Sequence, residues 1–226
     1  MQWELDAVSV AGAHAPLLHP TSLALSSGQV QLAVGPAGAG HTALALAAAG
    51  RIKPSSGRVL IDGQDAPAQL RRAVAIVDAP GVSEPDDALP LATVIGEELA
   101  MARRRAGRGA VHAWLSERSA GDLARTRYEE VPAAVRLRLM VELAAARPGV
   151  RALVLTSPDR HGIPPALWWD IALNHAGQGL AVLVTAQEIA GALLDAAPAL
   201  IGANQPGRAT TVLAVEPAPV PERNGS

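Results

Sequence analysis

The sequence predicts an α/β fold with a mostly parallel central sheet, and three observations carry the prediction. Apolar strand-like runs at 151–155 and 180–185 flank an amphipathic run at 165–176, and a strand–helix–strand unit of this kind pairs its strands in parallel. A glycine-rich turn, GPAGAGHT at 35–42, joins an apolar strand at 29–34 to an uninterrupted helix former at 43–49. Between these two units lies a long stretch of helical character.

Taken in order, WELDAVSV at 3–10 and TSLALS at 21–26 read as short strands joined by a Gly/His/Pro-containing segment. QVQLAV at 29–34 is a third, more apolar strand. The Ala/Leu helix at 43–49 stops at Gly50. SGRVLIDG at 56–63 is a strand running into a turn, 66–72 a short helix, and AVAIV at 73–77 a buried strand. Beyond Ala79 the chain becomes turn-rich and acidic. Helices are expected over 91–105, 110–125 and 133–147, with RRRAGRG at 103–109 as an exposed basic loop. After the strand–helix–strand unit, ATTVLAV at 209–215 is a last strand and PAPVPERNGS a Pro-rich tail. The expected organisation is one domain over 1–226, with a mainly helical subdomain at about 85–147 and a disordered tail at 216–226.

Composition excludes several function classes. Hydrophobic residues make up 49% of the chain, enough for a sizeable core, and with no Phe and one Tyr that core is built of small aliphatic side chains. The net charge of −2 gives no argument for a nucleic-acid partner. Cys is absent, which removes disulfides, thiolate metal sites and a Cys nucleophile. The six His residues show no metal-ligand spacing with carboxylates, and no close Ser–His–Asp arrangement is readable. No signal peptide or spanning helix is expected, so membrane work would need a partner chain.

The glycine-rich turn holds the candidate site: Gly35, Gly38, Ala39, Gly40, His41 and Thr42. Glycines permit the tight turn and close backbone approach, and a following helix N-terminus aims free N–H groups at an anion. A phosphate-binding loop also uses a Lys for the β/γ phosphates and a Ser or Thr hydroxyl for Mg²⁺. Thr42 supplies the hydroxyl, but His41 stands at the Lys position. With an ordinary pKa of about 6.5, His is mostly uncharged at neutral pH. Gly-Ala-Gly before an Ala-rich helix also describes an ordinary strand–helix turn.

Residues 30–65, from QVQLAV through the helix to PSSGRVLIDGQD, resemble the start of ABC transporter ATP-binding domains, and the resemblance runs through about residues 5–215. It implies a P-loop NTPase-like, mostly parallel sheet core with an N-terminal antiparallel β portion and a helical insert. It also implies binding of ATP or ADP with Mg²⁺. As partners it implies an integral membrane permease subunit, a homologous ABC ATPase subunit, or both. The implied location is cytoplasmic, held peripherally at the inner face of the membrane through the partner. ATVIGEEL at 92–99 lies near where members of the family dock membrane subunits.

Six positions depart from the family pattern. The adenine-stacking aromatic is replaced by Gly12, with Trp3 or His14 the only rings to borrow. His41 replaces the Lys. Val131–Val135 replace Leu-Ser-Gly-Gly-Gln. Thr156 and Ser157 replace the metal Asp and the basic Glu, and Ala186 replaces the switch His. The family's Gln after the third sheet strand is Asp78, which either faces a divalent ion or caps a turn. Asp159 lies past the strand end and faces another way, and His161 falls in the loop joining the nucleotide sites of family dimers. Arg136 and Arg138 read as a solvated helix face. Together these departures predict a degenerate member with weak nucleotide binding, inefficient hydrolysis and no catalytic residue, acting as a structural or coupling subunit. The alternative is a soluble regulatory or scaffold protein that binds protein and no nucleotide. The basic loop and Trp114 would then be contacts, with one of Trp168 and Trp169 buried and the other partly exposed.

Overall fold

The computed structural model describes residues 1–188, 198–204 and 206–212. Three strands open the chain: β1 (Gln2–Val10), β2 (Leu18–Ser26) and β3 (Gln29–Val34). In β1 the period-two alternation buries Trp3 and Leu5, then Val8 and Val10. A register shift between Leu5 and Val8, with Ala7 at φ 48°, keeps both halves of the pattern facing inward. β1 pairs antiparallel with β2 and with β4 (Ser56–Ile61), which makes the expected N-terminal antiparallel sheet.

The second sheet has the order β5-β6-β7-β3-β8, from β5 (Val74–Val77), β6 (Ala152–Thr156), β7 (Ala181–Ala186) and β8 (Ala199–Leu200). Every pairing along that order is parallel, and β9 (Thr210–Thr211) adds antiparallel to β3. β5, β6 and β7 are buried at every residue, as strands covered on both faces must be. The fold class is therefore as expected. The two-residue β8 has no counterpart in the sequence expectation, and residues 213–215 of the expected last strand, like the expected tail, lie outside the described residues.

Parallel pairing has a positional consequence: the C-terminal ends of β3, β5, β6 and β7 share one edge. Val34 pairs with Ala186, Thr156 with Thr185 and Val77 with Leu155. The segments following these ends meet there, which is where open parallel sheets bind ligands.

Helices α1 (His41–Ala48) and α2 (Pro67–Ala73) flank one face. α3 (Leu91–Met101), α4 (Arg108–Ser116) and α5 (Ala133–Ala145) form the stretch between β5 and β6, and α6 (Pro165–Gly177) crosses from β6 to β7. α3 ends at Met101 rather than 105 because Arg103 turns to φ 55°, and the exposed basic segment follows, with α4 starting inside it at Arg108. α4 ends at Ser116, and a short 3-10 turn at Gly121–Leu123 replaces the rest of the helix expected to 125.

The tryptophans correct two expectations. Both Trp168 (0% exposed) and Trp169 (8%) are buried, edge to face with centroids 6.0 Å apart. α6 packs against α5 on one side and β3 and β7 on the other, so positions about 100° apart both fall under cover. Trp114 is also buried, with the Arg118 guanidinium 3.9 Å above its ring, so it offers no exposed contact. Arg136 is not a freely solvated residue either: it lies 5.1 Å over the Tyr128 ring and 3.7 Å from Asp87. Arg138 is exposed as expected, donating to Arg118 O. No described helix is long and apolar enough to cross a membrane.

Candidate functional site

A cavity of about 510 Å³ opens at the shared edge of the sheet, walled by Gly38, Gly40, His41 and Thr42 on one side and by Ser157, Arg160 and Gln187 on the other. Leu17, Leu46, Ile52 and Pro80 supply its apolar surface.

The first wall is built from backbone. Gly35 N–H donates to Ala186 O (3.2 Å), which pins the start of the loop to the end of β7, and Ala39 N–H closes a turn on Pro36 O (3.0 Å). Gly40 sits at φ 103°, and a Cβ there would lie 2.2 Å from Leu17 O, so both conformation and space demand glycine. α1 begins at the next residue with no side-chain cap and no acidic residue in its first turn. Its first N–H groups are therefore without a protein side-chain acceptor, the arrangement that receives an anion.

His41 does not reach over this loop. Its Nε2 lies 2.9 Å from Gly35 O and 3.4 Å from Pro36 O, and because carbonyls only accept, Nε2 carries the hydrogen. Nδ1 is buried without a partner. The imidazole thus braces the loop from inside. Thr42 is half-buried on the cavity wall.

The opposite wall is built from charged side chains. Asp78, just past β5 at φ 58°, has its Oδ1 in a salt bridge 3.1 Å from Arg160 Nη2 and its Oδ2 hydrogen-bonded to His161 Nε2 (2.7 Å). Arg160 also donates through Nη1 to Asp78 O (2.6 Å) and Thr156 O (3.1 Å), and through Nη2 to Glu84 (2.9 Å). Burial raises the Asp78 carboxyl above its ordinary value, against the opposing pull of Arg160 and His161. Both carboxylate oxygens are committed to Arg160 and His161, so Asp78 neither caps its own turn nor faces the cavity as a free ligand. Tyr128 is pushed up chiefly by burial and then by the Asp78 charge.

At the end of β6 both hydroxyls point into protein. Thr156 Oγ1 is buried without a partner. Ser157, at φ 48°, donates its N–H to Thr185 O and Oγ1, both at 3.0 Å. Asp159 turns away from the cavity as expected: Oδ2 accepts from Gln187 N–H (2.7 Å), tying this loop to the end of β7. Gly12 lies in the turn between β1 and β2, and neither ring available to it serves the cavity. Trp3 is 1% exposed and donates to Ala48 O (3.2 Å), while His14 is exposed outside the cavity lining. Val131 to Val135 lead into α5, with Val131 buried and Pro132 at the N-cap.

The structure thus brings Gly38, Gly40, His41 and Thr42 to one cavity, packs Gly35 beneath them against Ala39 and Ile201, and sets Ala39 in the turn. Sequence reasoning missed Arg160, Glu84, Leu17 and Gln187. Arg160 meets Asp78 across 82 positions of chain, and no local pattern announces such a pair.

For a nucleotide the fit is divided. The loop suits phosphate groups, and the apolar wall gives a base a place to lie without an aromatic ring. For Mg²⁺ the donor set is thin: Thr42 is the sole hydroxyl of the first wall, and no group of three His, Cys, Asp or Glu arranged to hold a metal occurs among the described residues.

Residues 18–134 match the sequence profile of the ABC transporter family. The taurine import ATP-binding protein TauB of Pseudomonas savastanoi pv. phaseolicola is 43% identical over 63 residues, 28% of this chain and 24% of that protein. The methionine import ATP-binding protein MetN 1 of Pseudomonas syringae pv. syringae is 47% identical over 57 residues, 25% and 17% of the two chains. The matched stretch thus spans a quarter or less of these curated relatives. In fold, the chain superposes on a nucleotide-free ATP-binding cassette from an ABC transporter with TM-score 0.66 at 17% identity, covering 94% of this chain and 92% of that one. An ATP-binding subunit of an ABC transporter gives 0.64 at 16% identity, covering 94% and 90%. With just over half its residues matched by the family profile and a cassette fold along nearly its whole length, the chain belongs to the ABC transporter ATP-binding family.

Proposed function

We propose that the chain is an ATP-binding subunit of an ABC transporter that binds nucleotide weakly through Gly35, Gly38, Ala39, Gly40, His41 and Thr42, hydrolyses it inefficiently, and serves mainly to couple subunits. One observation carries the reading: among the described residues the cavity wall has no carboxylate. Asp78 is held by Arg160 and His161, Asp159 by the Gln187 backbone, and β6 ends in Thr156 and Ser157. Activating a water for attack on a phosphoryl group needs a base within hydrogen-bond reach, and stabilising the spreading charge needs cations aimed at it. Arg160 lines the cavity, but Asp78 and Glu84 already balance its charge.

What the residues do in this reading is bind and orient. The uncapped N–H groups of α1 and the Gly38–Gly40 turn receive phosphate oxygens, His41 keeps the loop closed through Gly35 O, and Leu17, Leu46 and Ile52 exclude water from the base. Mg²⁺, where bound, would lie at Thr42 and neutralise phosphate charge.

The partner is a membrane permease subunit, a homologous ATPase subunit, or both, which places the chain peripherally at the cytoplasmic face. A second groove of about 510 Å³ between α3 and α4, lined by Pro90, Thr93, Gly96 and Val111 with Arg108 and Arg125, supports a docking surface near residues 92–99. In the same reading residues 85–147 act as a helical subdomain of a single domain.

The test is calorimetric titration with ATP, with and without Mg²⁺, with phosphate release followed in parallel. Weak saturable binding with phosphate release at background is expected. Turnover at the rate of ordinary transport ATPases would sink the reading.

A further inference from the structure

On a chain with 21 acidic residues against 19 basic ones, a different cavity gathers four cations around one carboxylate. It lies between the C-terminal end of α1, β4 and α2, holds about 330 Å³, and is rimmed by the exposed residues Arg51, Lys53, Arg58, Asp65 and Arg71 over an apolar floor. Ile52 borders both this cavity and the glycine-loop cavity.

Arg58 spends its Nε on Asp6 (3.2 Å). Arg51, Lys53 and Arg71 form no salt bridge among the described residues. Two of them are nonetheless fixed: Arg51 Nη1 donates to Val74 O (3.1 Å) and Arg71 Nη1 to Gly50 O (3.0 Å), one nitrogen each. The helix end offers them no further counter-charge. Leu46 O already accepts from Arg51 and Ile52 N–H, Ala45 O from Ala49, and Ala47 O from Gly50. Burial holds the Arg51 guanidinium below its ordinary value, with the charges of Arg147 and Arg71 acting in the same direction.

We propose that this cavity is an anion site for a small organic phosphate carrying two or more negative charges. Arg51 and Arg71 bind its oxygens and Lys53 closes the rim. Planar guanidinium forks match phosphate oxygens in pairs, and among the described residues their remaining N–H groups have no protein acceptor to give up. A multiply charged group answers three unpaired cations better than a monoanion does. The volume lies at the small end for ligand cavities, and the apolar floor suits a compact body attached to the phosphate. A phosphate presented on a membrane shares this chemistry but has no use for a recessed apolar floor.

Titration with inorganic pyrophosphate, followed by calorimetry, tests the site. Wild-type chain should saturate at submillimolar ligand. Arg51→Gln/Arg71→Gln should weaken binding by about tenfold or more, the scale of lost charge-assisted hydrogen bonds. Because both arginines also hold backbone carbonyls, Lys53→Glu, which removes no bond of the fold, is measured beside it and should weaken binding in the same direction. His41→Ala/Thr42→Ala alters the glycine loop, where the proposed function also places phosphate, and so separates the two cavities: the component of binding lost in the cationic variants should persist in it. Loss only in the loop variant, indifference to both cationic variants, or no saturation in the millimolar range would each overturn the site. Capture by anionic phospholipid vesicles without saturable pyrophosphate binding would overturn it too, since the patch would then be a membrane contact.

Discussion

The two walls of the nucleotide cavity are made of different materials. The segment after β3 is shaped by main-chain geometry: a turn closed on Pro36 O, Gly40 in a conformation and space closed to any side chain, and an uncapped helix start. The segments after β5 and β6 are held by side chains, through Arg160 bridging Asp78, Glu84 and two carbonyls, with His161 on the far oxygen of Asp78. A backbone device tolerates replacement of most of its side chains, provided the glycines stay. A side-chain device changes its chemistry whenever its residues change. In the function proposed above, the first wall still receives phosphate, whereas the second has turned its charged groups on one another and holds its loops together.

The largest effect should come from breaking the side-chain wall. Arg160→Ala leaves Asp78 with one partner and two carbonyls without their donor, and both members of the pair are mostly buried. Removing one partner from such a pair costs about 3 kcal/mol, less for the share borne by exposed Glu84. Urea denaturation measures it. A loss below about 0.5 kcal/mol would mean that the cluster behaves as a surface ion pair and that the contrast between the walls is wrong.

Gly40→Ala attacks the backbone wall. The new Cβ meets Leu17 O at 2.2 Å and the residue is held at φ 103°, so the loop must shift or strain at a cost of about 2 kcal/mol. Gly38→Ala is the control: it also lies at positive φ, but its Cβ would meet nothing within 4 Å, so it should cost less. Equal losses would show that the turn conformation matters and the contact with Leu17 does not.

This difference in material also decides what the sequence made legible. β3, the glycine turn and α1 are local features, and GPAGAGHT between an apolar strand and an Ala/Leu run announces them. The alternation of Trp3, Leu5, Val8 and Val10 marked β1, although the bulge at Ala7 that keeps it in phase left no sign. The Arg160 cluster was illegible because its members lie in separate loops joined only by parallel pairing of β5 with β6. β8, two residues long, is too short to carry a period. The two buried tryptophans were misread because adjacent helix positions point apart, and the sequence does not say that α6 is covered on two sides. At the site, Gly38 and Gly40 line the cavity with Gly35 packed beneath them, and His41, which stands at the Lys position in the sequence, turns its ring back to Gly35 O, a direction that no local pattern states.

That rotation yields a third, smaller effect. His41→Lys puts a permanent cation on a longer stem at the loop while removing the brace to Gly35 O. ATP binding at about pH 8, where an ordinary imidazole is neutral, should tighten by about tenfold, or about 1.4 kcal/mol. Unchanged affinity would mean that the backbone wall does not admit phosphate, and the nucleotide would leave the proposed function.

The smallest effect separates burial from pairing within the side-chain wall. Burial is the leading influence on Asp78 and raises its carboxyl above the ordinary value of 3.8, despite Arg160 and His161. Above that ordinary value, up to its raised folded one, the folded chain holds the Asp78 proton more firmly than the unfolded chain does. The linkage relation then makes this group's contribution to stability fall as pH rises through that window. An ordinary paired carboxylate does the reverse. Asp78→Asn removes the titration while keeping an oxygen for Arg160. Relative to wild type, the variant should therefore gain stability as pH is raised from about 4 toward 7, whatever its offset at the acid end. Urea midpoints measured on both chains across that range give the sign directly. A variant that instead loses ground with rising pH would show that Arg160 and His161 outweigh burial. The cluster would then stabilise the ionised carboxylate rather than merely contain it.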